Sequence, residues 1–330
     1  MKKIGIIGAG AWGTALAITA RRAGRQVVLW AREEDTVVTI NTDHRNPAYL
    51  PGVDLDPAIH ATTDPATAAN ADAVFLVSPA QFLRPVCRAL APYWKKGTPA
   101  VVCAKGVENG TLALMSEVAA EELPGVRLAV LSGPTFAAEV AQGLPTALTL
   151  ACADSTVGAL IQQAIAAPTF RTYLSDDVIG AQVGGAVKNV IAIACGVATG
   201  KGMGDNTRAA LITRGLAEIA RLAKAMGGQS ATLMGLSGLG DLILTANSLQ
   251  SRNYSLGVAL GEGKSLAEIL GARRSVAEGV FSAEAVMGLA HRHGVDMPIC
   301  EAADAVLNRG QTVDEVIHAL LSRPFRAESI

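Results

Sequence analysis

The 330-residue chain is poor in aromatics, at 4%, and has no charge excess to speak of, with 28 Lys and Arg against 29 Asp and Glu. Without a long run of one sign nothing points to a polyelectrolyte, and no nucleic-acid partner is expected. Any anion it binds must be small and locally held. Cysteine is scarce: Cys87, Cys103, Cys152, Cys195 and Cys300 are odd in number, scattered and without a CxxC spacing. They read as buried thiols in a reducing cytoplasm, not as a disulfide framework. The N-terminal KKIGIIGAGAWG resembles an export signal only until its glycines interrupt the apolar stretch, and export is not expected. No apolar run is expected to approach the roughly 18 residues of a membrane span, so a soluble protein without a membrane partner is expected. His291 and His293 flank Arg292 with no third ligand candidate nearby. They are read as surface residues, and no metal site is expected.

What the chain does have is apolar mass. Half of it is hydrophobic and 17% is charged, the composition of a well-packed globular protein, and its length favours two domains. Ile4, Ile6 and Ile7 form a short β-rich run leading into Gly8-Ala9-Gly10-Ala11-Trp12-Gly13 and then a helix from Thr14 to Ala23. In that strand-turn-helix context the glycines make a dinucleotide-binding fingerprint. Gly8 permits the tight turn, Gly10 lets backbone approach a pyrophosphate and Gly13 lets the helix lie close on the strand, while Ala11 and Trp12 donate helix-terminal N–H groups. A second strand, Gln26 to Trp30, ends at Ala31, where an NAD-preferring site carries a carboxylate. Arg32 follows and suits a 2′-phosphate, so NADP is favoured over NAD; Glu33 and Glu34 are expected to cap the next helix. Apolar runs continue at Ala73 to Val77, Pro99 to Cys103, Leu128 to Leu131, Ala147 to Ala151 and Phe170 to Tyr173, as in a parallel sheet covered on both faces. Lys105 and the Ser132 to Thr135 turn follow strands, at the carboxyl ends where ligands gather in such sheets.

From about Ser175 the alternation gives way to helix after helix. Ile212, Leu216, Ile219, Ala223 and Met226 form an apolar stripe, Ser265 with Glu268 and Thr312 with Glu315 are spaced as capping boxes, and Gly294 and Gly310 mark helix ends. The expected organisation is a Rossmann-type α/β domain over residues 1–178 and an all-α domain over 179–330. The anomaly lies in GGAVKNVIAIACG, Gly184 to Gly196, where Lys188 and Asn189 interrupt apolar residues at helical spacing. Lys188 either snorkels to water or is a partly buried amine with a lowered pKa, fit for general acid/base work. Asp241 lies in a glycine-rich apolar segment, where it caps a helix or serves a site. Ser251-Arg252-Asn253 suits a phosphate or makes a surface turn.

Taken together, GAGAWGTALA at Gly8, AKG at Ala104, SGPTFA at Ser132, GGAVKNVIAI at Gly184, GLGDL at Gly238, SRN at Ser251 and VAEG at Val276 are selective. With them the chain resembles the bacterial NAD(P)-dependent glycerol-3-phosphate dehydrogenases from its first strand to about Pro298. The resemblance implies reversible reduction of dihydroxyacetone phosphate, a phosphorylated triose, to sn-glycerol 3-phosphate for glycerophospholipid synthesis. It implies a C-terminal domain like that of 6-phosphogluconate dehydrogenase and leaves both cofactors open, NADP(H) being preferred on the reading of Ala31 and Arg32 and NAD(H) also usable; a homodimer is admitted. Carried over by position, Lys188 matches the catalytic lysine, and Lys105, Gly133, Thr135, Asp241, Ser251, Arg252 and Asn253 match substrate positions. Ala11, Trp12, Arg32, Lys105, Ala137, Arg252, Val276 and Glu278 match cofactor positions. Ala11 is often serine in the family, and Arg32 stands where histidine or arginine occurs. Lys105 and Asp241 are expected to meet Lys188 across a cleft between the halves. The alternatives are a dinucleotide redox sensor, which leaves Lys188 and Asp241 unexplained, and a 3-hydroxy-acid dehydrogenase, which does not call for SRN.

Overall fold

The computed structural model describes residues 1–272 and 277–324. The chain forms two compact units, one of residues 1–104 and 115–178, the other of residues 105–114 and those from Ile179 onward. The segment Lys105–Leu114, which chain order alone puts in the first half, therefore belongs to the second unit.

Unit 1 carries strands β1 Lys3–Ile7, β2 Gln26–Trp30, β3 Arg45–Asn46, β4 Leu50–Asp54, β5 Ile59–Thr62, β6 Ala73–Leu76, β7 Pro99–Val102, β8 Arg127–Ser132, β9 Thr146–Ala151 and β10 Phe170–Ser175. Between them run helices α1 Ala11–Arg22, α2 Glu34–Asp43, α3 Pro65–Ala69, α4 Leu83–Leu90, α5 Met115–Glu122, α6 Ala137–Gln142 and α7 Ser155–Ile165. The main sheet has eight strands in the order β10-β9-β8-β7-β6-β1-β2-β5, and β3 and β4 form a separate hairpin. β6 and β7 are buried along their whole length, which is why they read as unbroken apolar runs. β1 pairs in parallel with β2 on one side and β6 on the other, setting Ile7 beside both Trp30 and Leu76. Strand order reverses there, so the carboxyl end of β1 is the switch point at which such sheets open a crevice.

The sheet is mixed, where continued alternation suggested a parallel one. β9 runs antiparallel to β8, with Ser132 opposite Thr149, and β10 follows β9 in parallel. The connection explains the reversal. The six residues of α6 rise about 9 Å, whereas the six-residue strand β8 is about 20 Å long. So short a helix cannot carry the chain back along the strand, and β9 enters at the end where β8 leaves.

Unit 2 is helical: α8 Val178–Gly200, α9 Gly204–Ala225, α10 Ser230–Leu233, α11 Asp241–Ala246, α12 Arg252–Gly261, α13 Leu266–Gly271, α14 Glu278–His293, α15 Pro298–Asn308 and α16 Val313–Leu321. The expected stripe on α9 is in place, with Leu216, Ile219 and Ala223 in the core. Both capping boxes form, at Ser265 with Glu268 and at Thr312 with Glu315. Gly294 ends α14 in the left-handed conformation, at φ 64°. At the core's centre is α8, and it overturns the expectation that no apolar run reaches membrane length. Its 23 residues have a mean hydropathy of 1.6 over the most apolar window, 83% of which is buried inside the protein. The hydropathy is that of a helix wrapped by others. α12 lies almost in backbone contact with it. A Cβ on Gly257 would stand 3.0 Å from the Cα of Gly196, and one on Gly261 would stand 2.9 Å from that of Gly200.

Candidate active site

The close approach of α12 to α8 sets up the polar centre of unit 2. One turn above Gly257, Asn253 donates from Nδ2 to Oδ1 of Asn189 on α8 at 2.9 Å and accepts at its own Oδ1 from the Gly279 N–H at 3.0 Å. Buried amides are stable when partnered in this way, and the two asparagines fix the register of α8, α12 and α14 around Lys188. Ser251 caps α12, its Oγ accepting from the Tyr254 N–H at 3.2 Å. The hydroxyl and amide of SRN therefore have structural work, while Arg252 is exposed beside the first-turn N–H groups of α12, a local anion site by charge and dipole.

Lys188 does not snorkel. Its residue is 6% exposed, and its Nζ donates to Oδ1 of Asp241 at 2.6 Å and to Oγ1 of Thr245 at 2.7 Å. Lys105 donates to the other carboxylate oxygen, Oδ2, at 2.6 Å. Asp241 opens α11 without capping it; a short π-helical turn, Leu236–Gly240, delivers it there, an irregularity that recurs at functional sites. Thr245 follows one turn later on the same face. The triad lies wholly within unit 2, since Lys105 enters with its own segment.

Burial is the main force on the Lys188 amine and pushes it down to about 8. Asp241 opposes the shift, the Lys105 cation adds to it, and Glu278 opposes it weakly. Burial likewise pushes the Glu278 carboxyl up, against the pull of Arg252, Lys105 and Lys188. Three cations thus face two carboxylates, a balance that leaves room for an anion.

Unit 1 holds the other expected group. Gly8 turns at φ 117°, a left-handed value, and a Cβ on Gly13 would collide with the carbonyl of Gly8, whereas a Cβ on Gly10 would meet nothing within 4 Å. The turn, the close packing and the open space fall where the fingerprint needs them, so these residues fit a dinucleotide. α1 begins at Ala11, three residues earlier than expected, so Ala11 and Trp12 present first-turn N–H groups. Sequence reasoning overlooked Asn46, whose Nδ2 donates to Ala9 O and to Thr14 Oγ1 at 2.8 Å each and braces the loop from beneath. It also overlooked the pairing of Arg32 with Glu33 at 2.8 Å, which corrects the capping role of Glu33, whose side chain makes no cap hydrogen bond to α2. Gly133, Thr135 and Ala137 lie at the carboxyl end of β8 and the start of α6, where Thr135 Oγ1 donates to Gly133 O at 3.3 Å. Val276 lies outside the described residues. Among the described residues no cluster of metal-ligating side chains forms.

A glycine-loop cradle in one unit and a buried, lysine-flanked carboxylate in the other define a dinucleotide-dependent oxidoreductase with an anionic substrate. Known proteins narrow the class. The family profiles for the N-terminus and C-terminus of NAD-dependent glycerol-3-phosphate dehydrogenase match residues 3–158 and 177–318. A Rhodospirillum rubrum protein named glycerol-3-phosphate dehydrogenase (NAD(P)+) is 60% identical over 326 residues, 98% of this chain and 93% of that one. A Parvibaculum lavamentivorans protein of the same name is 59% identical over 328 residues, 99% and 98% of the two chains. The crystal structure of glycerol-3-phosphate dehydrogenase from Coxiella burnetii superposes with a TM-score of 0.93 at 38% identity, covering 98% of this chain and 99% of that one. The chain belongs to the NAD-dependent glycerol-3-phosphate dehydrogenase family.

Proposed function

We propose that this protein reversibly reduces dihydroxyacetone phosphate to sn-glycerol 3-phosphate, using NADPH in preference to NADH, in the cytoplasm, where the product supplies glycerophospholipid synthesis. The observation that carries the reading is the Lys188 amine, buried, held between Asp241 and Thr245, and pushed down to about 8. Such an amine can give and take a proton near neutrality, which an ordinary lysine cannot do.

When bound, the reduced dinucleotide supplies a hydride to C2 of the triose. The carbonyl oxygen gathers negative charge as its π bond breaks, and Lys188 answers by donating a proton from Nζ, so that carbonyl, hydride and proton together give the alcohol. In the reverse direction neutral Lys188 removes the hydroxyl proton. Asp241 and Thr245 fix the direction of the amine, and Lys105 keeps its proton labile. Arg252 and the N-terminus of α12 are assigned to the phosphate, with Ser251 and Asn253 holding that helix start in shape. Gly8, Gly10, Ala11, Trp12 and Gly13 would hold the pyrophosphate, and Arg32 the 2′-phosphate. Gly133, Thr135, Ala137 and Glu278 are assigned to ligand contact on the resemblance alone.

The test is NADPH oxidation with dihydroxyacetone phosphate by the parent protein and by Arg252→Ala. The variant should lose on the order of 2 to 5 kcal/mol in catalytic efficiency, as when one partner of a charge-assisted contact is removed. Non-phosphorylated dihydroxyacetone should be a poor substrate for both and lose less. Equal losses on the two substrates would take the phosphate away from Arg252, and an inactive parent would end the dehydrogenase reading.

A further inference from the structure

We propose that Lys105–Leu114 is a latch, and that the seating of Leu112 against Gly288 of α14 holds Lys105 on Asp241, which makes Leu112 and Gly288 positioning residues for the reaction. The inference rests on the reading of Lys188 as the acid.

The segment closes on itself. Val107 and Leu114 form an antiparallel bridge, Glu108 N–H donates to Ala113 O and Leu112 N–H to Glu108 O, both at 3.0 Å, and Thr111 Oγ1 donates to Glu108 Oε2 at 2.6 Å. Both bridge residues are buried in the core of unit 2, against which Leu112 also packs. Leu112 has φ 62°, a left-handed conformation unfavourable to a leucine, which has no side-chain hydrogen bond to offset it. Such a conformation persists only where the surroundings impose it.

The surroundings are α14. A Cβ on Gly288 would stand 2.9 Å from both Cδ atoms of Leu112, so the helix is notched where the leucine sits. One turn on, Arg292 Nη2 donates to Thr111 O at 3.1 Å. Residues 288 and 292 share a helix face, and α14 thus grips the loop by side chain and by backbone. Lys105 opens the segment so gripped and ends on Asp241.

The consequence reaches Lys188 through charge. The groups facing its amine are Asp241 from α11, Lys105 from the latch and Glu278 from α14, with Arg252 of α12 facing Glu278. Of these, Lys105 is the cation that presses the amine down. Loosening the latch withdraws that cation and lets the amine rise, an effect that mere loss of stability does not produce.

The experiment uses the full chain in Leu112→Gly, which removes the anchor and suits the positive φ, and in Gly288→Ala, which fills the notch. The Lys188 titration is followed by NMR of ε-13C-lysine, assigned with Lys188→Arg, beside the pH profile of kcat/KM for dihydroxyacetone phosphate. Both variants should shift the Lys188 midpoint upward, towards its value in Lys105→Met, and move the basic limb of the profile with it. Efficiency should fall roughly ten- to a hundredfold, the scale of misplacing one group in a site. A lowered melting temperature with an unmoved Lys188 midpoint overturns the latch; if Leu112→Gly does not fold, Gly288→Ala decides alone. An inactive parent would overturn the dehydrogenase reading and still leave the NMR midpoint to judge the latch.

Discussion

Lys188 gains its chemistry from where its nitrogen stands. Burial disfavours the ammonium, and the nearby carboxylate returns only part of that cost, so the amine titrates at about 8. Reduction needs the protonated form, so kcat/KM for dihydroxyacetone phosphate should be level below that pH and fall above it. Oxidation of glycerol 3-phosphate should rise with pH to the same point, and stopped-time assays in both directions would show whether the limbs mirror each other. Lys188→Ala should lose on the order of 10² to 10⁴ in turnover while binding NADPH as before; a near-parental rate would return Lys188 to a structural role. Much of this was legible, because a lysine amid valines and isoleucines is conspicuous in any sequence. Thr245 was not, since threonine in a helix is ordinary, although its spacing of four from Asp241 was a signal that could have been used. The Arg32 and Glu33 pair was misread for the opposite reason, a pairing of chain neighbours that no pattern announces. It is weak, with the Arg32 side chain 76% exposed, and worth about 0 to 1 kcal/mol. A 2′-phosphate can displace it. Glu33→Gln should therefore lower the Michaelis constant for NADPH and leave that for NADH unchanged, whereas Arg32→Ala should raise the first more than the second; equal effects on the two cofactors would sink the assignment.

At the scale of elements, the site depends on how closely α12 can lie on α8. Gly257 and Gly261 on one helix meet Gly196 and Gly200 on the other, so the backbones approach where side chains would hold them apart. That approach places Asn253 on Asn189, and the asparagines in turn set the start of α14. Gly257→Ala should cost about 1 to 3 kcal/mol, the usual range for overpacking a filled interior, read as a lower urea midpoint at unchanged slope. An unchanged midpoint would show that the two helices can separate freely. The spacing of four in each pair is visible in the sequence, but which helix receives which is not, because it depends on a fold of several helices. The direction of β9 was hidden in the same way: apolar runs announce strands, while the length of α6, which decides the reversal, depends on where Gly143 ends it in the left-handed conformation.

For the whole molecule, a formal net charge of −1 means that stability near neutrality is governed by individual buried groups and not by overall repulsion. Lys188 is one, and Glu218 of α9 is another. The first turn of α15 has no side-chain cap of its own, and Glu218 reaches across from α9 to accept from the N–H groups of Ile299 at 2.7 Å and Cys300 at 3.1 Å. Burial nonetheless dominates and pushes its carboxyl from 4.5 to about 7. The folded protein therefore holds a proton that the unfolded chain releases at lower pH. Between about 4.5 and 7 the folded state binds more protons than the unfolded one, so this group makes stability fall as pH rises, levelling off above 7. Lys188 acts in the window above, where its depressed value of about 8 against 10.5 makes stability recover as pH rises. The exposed carboxylates of Asp56, Asp64, Glu268 and Glu315 and the half-buried one of Glu122 are held low. Their contribution is present above the ordinary carboxylate range and is lost in acid. The contributions of Glu218 and Lys188 together are least favourable between about 7 and 8. Glu218→Gln keeps one acceptor oxygen for α15 and cannot titrate, so it should remove the decline between pH 5 and 7. Over that window the decline should amount to about 2 kcal/mol, since each pH unit of full proton difference is worth 1.36 kcal/mol and the difference is incomplete at both ends. Urea unfolding of parent and variant at pH 5, 6 and 7 measures the slope, and parallel slopes in the two proteins would show that Glu218 does not carry the proton.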